Sequence, residues 1–343
     1  MDSATIARAV ELLRAGRLVA LPTETVYGLG ADAANPEAVA RIFAAKGRPA
    51  DHPLIVHLPG AAWLEQWARE IPPLAWELAE DFWPGPLTLI LKRAPGVPDA
   101  VTGGQDTVGV RVPAHPLALQ LLRAFAASEP APGTGKPGGG LAAPSANRFG
   151  RISPTSAEHV RAELGDAVDF VLDGGACPVG IESTILDLSR GPDFPPRLLR
   201  PGAITPEMIL RTTGVEVEVA GKAATTDAPR VSGSLSAHYA PRTPLRLLAA
   251  SEVDAAIGEA ARAGRSIAVL RRLPEAGQTA ELLSLHTRWL PADAEGFARE
   301  LYAALREVDA LGVSLILAEA VPAAGEWAAV ADRLRRAACG AGA

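Results

Sequence analysis

Cysteine is scarce in this chain: among 343 residues there are only Cys177 and Cys339. Two thiols so far apart exclude a disulfide framework and a zinc-type spacing, and fit a reducing, cytoplasmic setting. Aromatic residues make up 5%, too few for the repeated stacking positions of a single-stranded nucleic-acid platform. No apolar run approaches the length needed to span a membrane. The opening residues MDSATIARAVELLRAG carry acids in an amphipathic pattern and do not read as a signal peptide. Net charge is −6, which excludes a broad basic face but leaves room for a local basic cavity. The familiar phosphate and hydrolase signatures G-x-G-x-x-G, H-E-x-x-H and G-x-S-x-G are missing. Gly133-Thr134-Gly135-Lys136 resembles part of a P-loop. However, Pro137 stands where Ser or Thr is required, Pro130 replaces the first glycine, and no strand precedes it. Residue types alone leave a Ser-His-Asp hydrolase open, but no spacing points to one.

What the chain does contain is material for two domains. It is 48% hydrophobic and rich in Gly (33) and Pro (30), so a large core with many stiff loops is expected. The stretch from Leu18 to His57 reads as strand, polar loop, helix, basic loop, strand. Leu18–Leu21 is a short apolar run stopped by Pro22, and Thr23-Glu24-Thr25 follows at its end. Gly28 and Gly30 let the backbone turn tightly or approach a ligand. Asn35 and Pro36 predict a helix start, and Lys46 and Gly47 its end. Further helices are expected over 3–15, 74–82 and 117–125, with strands over 87–91, 107–112, 141–143, 168–172 and 183–188. Thr155 and Glu158 predict a capping box for a helix over 156–164. Residues 128–140 are low-complexity and read as a flexible surface insertion. We expect a larger α/β domain at 1–212, a linker at 213–243, and a C-terminal α/β domain at 244–343 with strands 245–249, 266–270 and 313–318 and helices 252–263 and 294–310.

At the predicted strand ends stands a set of hydroxyls, cations and imidazoles: Thr25, Lys46, Arg48, His52, His57, Arg111, Ser145, Asn147, Ser183 and Arg200. Four cations among hydroxyls suit a polyanion such as a nucleotide. Taken singly, each has a structural explanation. Lys46 and Arg48 could be a solvated helix end, Arg111 an edge-strand charge, Ser145 and Asn147 turn formers, and His57 a core histidine. The joint placement at strand ends, where α/β proteins bind ligands, favours a site.

Together PTETVYGLG, KGRP, HPLIVH, WPGPLTLIL, DTVGVRVPAHP, APSAN, GIESTILDL and LRPG resemble the YrdC domain, in order and at compatible spacing. His238-Tyr239-Ala240-Pro241 and the following α/β stretch resemble the two-domain form of the threonylcarbamoyl-AMP synthases. The resemblance implies a YrdC-like twisted mixed sheet with helices around an open cavity, plus a smaller Rossmann-like C-terminal domain. It implies the reaction of L-threonine, bicarbonate and ATP to threonylcarbamoyl-AMP and pyrophosphate, with Mg²⁺ accompanying ATP. The product would serve the N6-threonylcarbamoyladenosine modification of tRNA, handed on to a threonylcarbamoyl transferase.

By position, Thr25, His57, Arg111, Ala143 and Ser183 would hold threonine. Arg48, His52, Thr107, Ser145, Asn147, Ser153, Arg200, Ser232, His238 and Tyr239 would serve ATP. Lys46, Arg48 and Arg111 would be the catalytic cations, and the residues around HYAP would close over the site. No protein-held metal is expected. In place of the family's usual basic approach to HYAP the segment reads VSGSLSAHYAP, with Arg230 or Arg242 as the nearest cations. A carbamoyl-adenylate-forming carbamoyltransferase relative lacks support without cysteine clusters. A non-enzymatic RNA-binding module is disfavoured by the acidic total.

Overall fold

The structure is a computed structural model that describes residues 3–128, 137–219, 228–233, 235–274 and 286–342. Short apolar runs broken by Pro and Gly give ten strands in the larger unit: β1 Val19–Leu21, β2 Gly28–Asp32, β3 Ile55–His57, β4 Leu87–Lys92, β5 Thr107–Arg111, β6 Leu141–Ala142, β7 Phe170–Val171, β8 Thr184–Asp187, β9 Arg197–Arg200 and β10 Glu218–Val219. They form one mixed sheet in the order β10-β9-β8-β4-β5-β3-β6-β2-β1-β7. The alternation of side chains along β1 shows how it is covered. Val19 and Leu21 pack with the helices Ser3–Arg14 and Pro116–Ala127, while Leu18 and Ala20 join the cluster that contains Ile42 and Phe43 of the helix Pro36–Lys46.

The helix Pro36–Lys46 begins and ends as its sequence predicts. Asn35 Oδ1 accepts from the amides of Glu37 and Ala38 at 3.0 and 3.3 Å, and Gly47 adopts φ 61°. Two expectations change. Gly28 and Gly30 lie within strand β2 rather than in a turn. At Gly30 a side chain would come within 2.8 Å of Leu21, so its glycine serves strand packing, whereas Gly28 lines the cavity described below. The helix Ala157–Leu164 is capped by Ser156, which accepts from the amide of His159 at 3.2 Å. The predicted Thr155–Glu158 box is therefore replaced by a single cap one residue later. The Thr155 hydroxyl instead meets the His159 ring at 3.3 Å. Of the 128–140 insertion, residues 129–136, including the P-loop-like GTGK, lie outside the described residues. Its far end is anchored: Trp67 Nε1 donates to the Gly138 carbonyl at 3.0 Å, and Gly138 donates to Gln66 at 2.9 Å.

The smaller unit is a parallel sheet of β11 Leu245–Leu248, β12 Ile267–Arg272, β13 Thr287–Leu290 and β14 Leu315–Glu319, in the order β11-β14-β12-β13 among the described residues. The period of two again assigns the faces. Ala268, Leu270, Ile316 and Ala318 pack with the helices Ala294–Asp309 and Ala328–Gly340, and Val269 and Leu317 with the helix Val253–Arg262. Helices on both faces of a parallel sheet are the Rossmann-like arrangement. The two units meet without clearance at Gly180, whose φ is +80° and where a Cβ would lie 2.4 Å from Arg299 Cα. No helix among the described residues is long and apolar enough to cross a membrane.

Candidate active site

Strand ends of the large sheet surround a cavity of ≈ 460 Å³, a volume that includes its open mouth. Thr23, Thr25 and Val26 come from the loop after β1, His57 and Arg111 from the ends of β3 and β5, and Ala143 to Ser145 from the turn after β6. Glu182 and Ser183 precede β8, Arg200 ends β9, and Ser232, Gly233, His238 and Tyr239 close the far side. A second cavity of ≈ 280 Å³, lined by Thr107, Gln105, Arg230 and Val231, shares Ile55 and Ser232 with the first.

The floor is held by charge pairing. Arg111 is central, on a strand flanked by β3 and β4, and 4% exposed. Its Nη2 donates to Glu24 Oε1 at 2.5 Å, Nη1 to Thr25 Oγ1 at 2.9 Å, and Nε to the Gly85 carbonyl at 3.0 Å. Glu24 also accepts from the Ala114 amide at 2.9 Å. Thr23 donates its hydroxyl to the Val26 carbonyl at 2.6 Å, so the 2.8 Å Thr23–Thr25 bond has Thr25 as donor. With its proton committed and one lone pair on Arg111, Thr25 Oγ1 turns a remaining lone pair to the cavity, an acceptor for an ammonium or hydroxyl group. Opposite, Arg200 donates from Nη2 and Nε to the hydroxyl and carbonyl of Ser183, both at 3.1 Å, and the Ser183 hydroxyl is 2.8 Å from Thr88.

Lys46 and Arg48 are 3% and 7% exposed, which rules out a solvated helix end. Lys46 Nζ donates to the carbonyls of Ser145 and Asn147 at 2.5 and 2.6 Å, clamping the loop after β6. Burial, then the neighbouring Arg48 charge, holds its pKa well below the usual lysine value. Arg48 donates to the Pro53 carbonyl at 2.8 Å and to the Ser232 hydroxyl at 3.4 Å, while its Nε has no partner. Burial lowers Arg48 to about 10. Burial likewise pushes His57 down to about 3, helped by Arg111, and His238 down to about 3. Both imidazoles are thus neutral at physiological pH, and each Nδ1 lacks a partner.

The closing segment is fixed from three sides. Arg200 Nη1 donates to the Ser232 carbonyl at 3.0 Å, the His238 amide to the Arg336 carbonyl at 3.2 Å, and the Ala240 amide to the Gly150 carbonyl at 2.9 Å. Tyr239 has φ +61° and a buried hydroxyl without a partner. Behind the wall, Glu182 accepts from Ser153 at 2.6 Å, Tyr302 at 2.9 Å and Arg333 Nε at 2.8 Å. Burial would raise its pKa, but the Arg333 and Arg200 charges and the Ser153 and Arg333 hydrogen bonds overcome that and bring it down to about 2.

A family model described as "Telomere recombination", covering the Sua5, YciO and YrdC proteins, matches residues 11–202, and one described as "Threonylcarbamoyl-AMP synthase, C-terminal domain" matches residues 204–339. The chain belongs to the Sua5–YciO–YrdC family. It is 42% identical to the threonylcarbamoyl-AMP synthase of Pyrococcus abyssi over 96% of this chain and 92% of that protein. Identity is also 42% with the Bacillus subtilis protein of the same name, over 98% and 93%. The crystal structure of P. abyssi Sua5 complexed with L-threonine is similar at a TM-score of 0.87 and 38% identity, covering 99% of this chain and 96% of that one.

Thr25, His57, Arg111, Ala143, Ser145, Ser183 and Arg200 of the Sua5–YciO–YrdC unit share one cavity with Ser232, His238 and Tyr239, which lie beyond it. Thr107 lines the second cavity. Lys46, Arg48, His52, Asn147 and Ser153 line neither. Asn147 spends its amide on the carbonyls of Arg148 and Arg151, and Ser153 is committed to Glu182. His52 stands edge-on to Phe149, 5.3 Å between ring centroids, and Phe149 edge-on to His238 at 6.0 Å. Arg230 pairs with Asp51 at 3.0 Å, and the Arg242 amide is bound to Asp309. Sequence reasoning left Glu24, Glu182, Phe149, Tyr302 and Arg333 without roles. The first two lie inside the quoted motifs PTETVYGLG and GIESTILDL, and that was the available signal.

Proposed function

We propose that this chain is an L-threonylcarbamoyladenylate synthase acting in the cytoplasm on L-threonine, bicarbonate and ATP. The observation that carries the reading is the pair of adjoining cavities with Ile55 and Ser232 as common wall. One is floored by Thr25 and Arg111, and the arginines Arg48 and Arg200 both reach Ser232 at the junction. Such a layout suits an amino acid and a nucleotide that must meet at one atom pair. The full-length similarity to threonylcarbamoyl-AMP synthases supports the same assignment.

In this reading the threonine amine and bicarbonate form the N-carboxylate with loss of water. A carboxylate oxygen then attacks the α-phosphorus of ATP, the bond from that phosphorus to the α,β-bridging oxygen breaks, and pyrophosphate leaves with that oxygen. That exchange needs in-line positioning and charge neutralisation rather than a protein nucleophile. Thr25, His57, Ala143 and Ser183 would hold threonine. Because burial keeps His57 neutral, the positive charge on the threonine side is that of Arg111. Arg48 and Arg200 would neutralise the phosphates, with Thr107, Ser145 and the HYAP segment around the nucleotide. Lys46, Asn147 and Ser153 would act by holding the loops that carry these groups, and His52 through Phe149.

The carboxylates nearest the site, Glu182 in the cavity wall and Glu24 bonded to Arg111, do not fit a protein-held Mg²⁺. Both oxygens of Glu24 and of Glu182 are already hydrogen-bonded, and no cluster of metal-ligating side chains occurs among the described residues. Mg²⁺ would come with ATP, held by phosphate and water. The adenylate would then be passed to a transferase that modifies tRNA.

The test is pyrophosphate release from ATP with threonine and bicarbonate omitted in turn. Release is expected to require both, and release that ignores threonine would overturn the reading.

A further inference from the structure

Arg333 belongs to the last helix of the C-terminal unit, yet every one of its partners but one lies outside that unit. It is wholly buried, a rare state for an arginine. Nε donates to Glu182 at 2.8 Å and Nη2 to the Pro201 carbonyl at 3.0 Å, and the guanidinium lies 5.2 Å from the centroid of the Tyr239 ring. Asp332, the one local partner, accepts from Nη1 at 2.9 Å. Glu182 precedes Ser183, and Pro201 follows Arg200. Arg333 therefore grips the chain on both sides of the Ser183–Arg200 pair that faces the cavity, and it underlies the tyrosine of the closing segment. It also offsets Glu182, the one carboxylate in a cavity wall whose charged groups are otherwise Arg111 and Arg200.

We propose that Arg333 is a positioning residue for the nucleotide: through Glu182 and Pro201 it sets the Ser183–Arg200 pair, and it keeps the Glu182 carboxylate from opposing the phosphates. The C-terminal unit thereby completes the active site without touching substrate. This inference rests on the adenylate-forming reading above. Charge separates it from a general effect on folding. ATP carries several negative charges and meets an uncompensated Glu182 with repulsion, whereas zwitterionic threonine has no net charge to repel.

The experiment measures kcat and both KM values for wild type, Arg333→Gln, Glu182→Gln and the double variant, with circular dichroism as a check of fold. Threonine-dependent turnover by the wild type keeps the test separate from the fate of the underlying reading. In Arg333→Gln the KM for ATP should rise about tenfold, equivalent to about 1.4 kcal/mol, with the KM for threonine changed less than about threefold. Adding Glu182→Gln should return the KM for ATP to within about threefold of wild type, because no orphaned charge remains. An unchanged KM for ATP in Arg333→Gln overturns the inference. So does an equal rise in both KM values with no recovery in the double variant. Should Arg333→Gln fail to fold, Arg333→Lys takes its place: it keeps the charge but loses the fork that holds Glu182 and Pro201 together. It should raise the KM for ATP by about threefold and by more than the KM for threonine, and a wild-type KM for ATP overturns the inference equally.

Discussion

The ammonium of Lys46 donates to the carbonyl of Asn147 at 2.6 Å, joining the end of the helix Pro36–Lys46 to the loop that carries Ser145. The same nitrogen binds the Ser145 carbonyl. A residue whose type suggests phosphate binding is thus a loop clamp. Lys46→Met should strip two charge-assisted hydrogen bonds from buried carbonyls and cost about 3 kcal/mol, read as a lower urea midpoint. Because Ser145 then moves, the KM for ATP should rise as well. A variant with wild-type stability and KM would show that the clamp is dispensable.

Arg111 and Glu24 are 4% and 6% exposed and bonded to each other. Arg111→Ala leaves a buried carboxylate unpaired and should destabilise by about 3–5 kcal/mol while abolishing threonine-dependent turnover. Glu24→Gln keeps an acceptor for Arg111 and should lose less of both. Thr25→Val removes the acceptor that Arg111 orients and should raise the KM for threonine by about tenfold, with that for ATP little changed. Arg48→Ala should do the reverse, weakening ATP before threonine.

Gly233 has φ +75°, and a Cβ there would lie 2.3 Å from the Tyr239 hydroxyl and 3.1 Å from Arg200 Nη1. Gly233→Ala should therefore keep the closing segment from seating on Tyr239. The expected result is a fall in turnover, accompanied by a lower thermal midpoint, since alanine is strained at this φ and Tyr239 belongs to the core of the smaller unit. Normal turnover in this variant would show that seating on Tyr239 is not required.

Stability should fall in mild acid. His57 and His238 titrate near 6.5 when unfolded but near 3 when buried. Between those values the unfolded chain binds protons that the fold refuses, so stability rises with pH there. The contribution is complete above pH 6.5 and shrinks by about 1.4 kcal/mol per histidine for each unit below it, until the folded values are reached. Glu182, held near 2, adds a loss in the same direction once pH drops below the usual carboxylate value of 4.5. Urea titrations at pH 7 and pH 5 test this, and His238→Phe should flatten the slope. A flat stability profile between those pH values would refute it.

Elements with local signals were legible in the sequence. The helix over 36–46 announced itself through Asn35, Pro36 and Gly47, and β5 through its alternating valines. Thr155 misled because Ser156, one residue on, competes for the same cap. Gly30 misled because a glycine that lets strands approach looks like a glycine that turns the chain. The helix Ala328–Gly340 is not among the elements that the sequence pattern predicts. Its buried face includes Asp332 and Arg333, and charges that pair across an interface look like solvated charges in a sequence. Glu182 was unreadable for the same reason, its partner being 151 residues away. Much of the cavity's polar set, by contrast, was visible because His57, Arg111 and Arg200 end strands and Thr25 and Ser145 stand in the loops after them.

Ser232 holds the hydroxyl that Arg48 reaches and the carbonyl that Arg200 reaches. Under the proposed function a phosphate oxygen would seek those same hydrogens, so serine and nucleotide would be rivals for one pair of arginines. Binding would then exchange hydrogen bonds more than add them, and each exchange contributes little net free energy. The consequence is a ceiling on affinity set by the chain itself, which favours rapid departure of an anionic product over long retention.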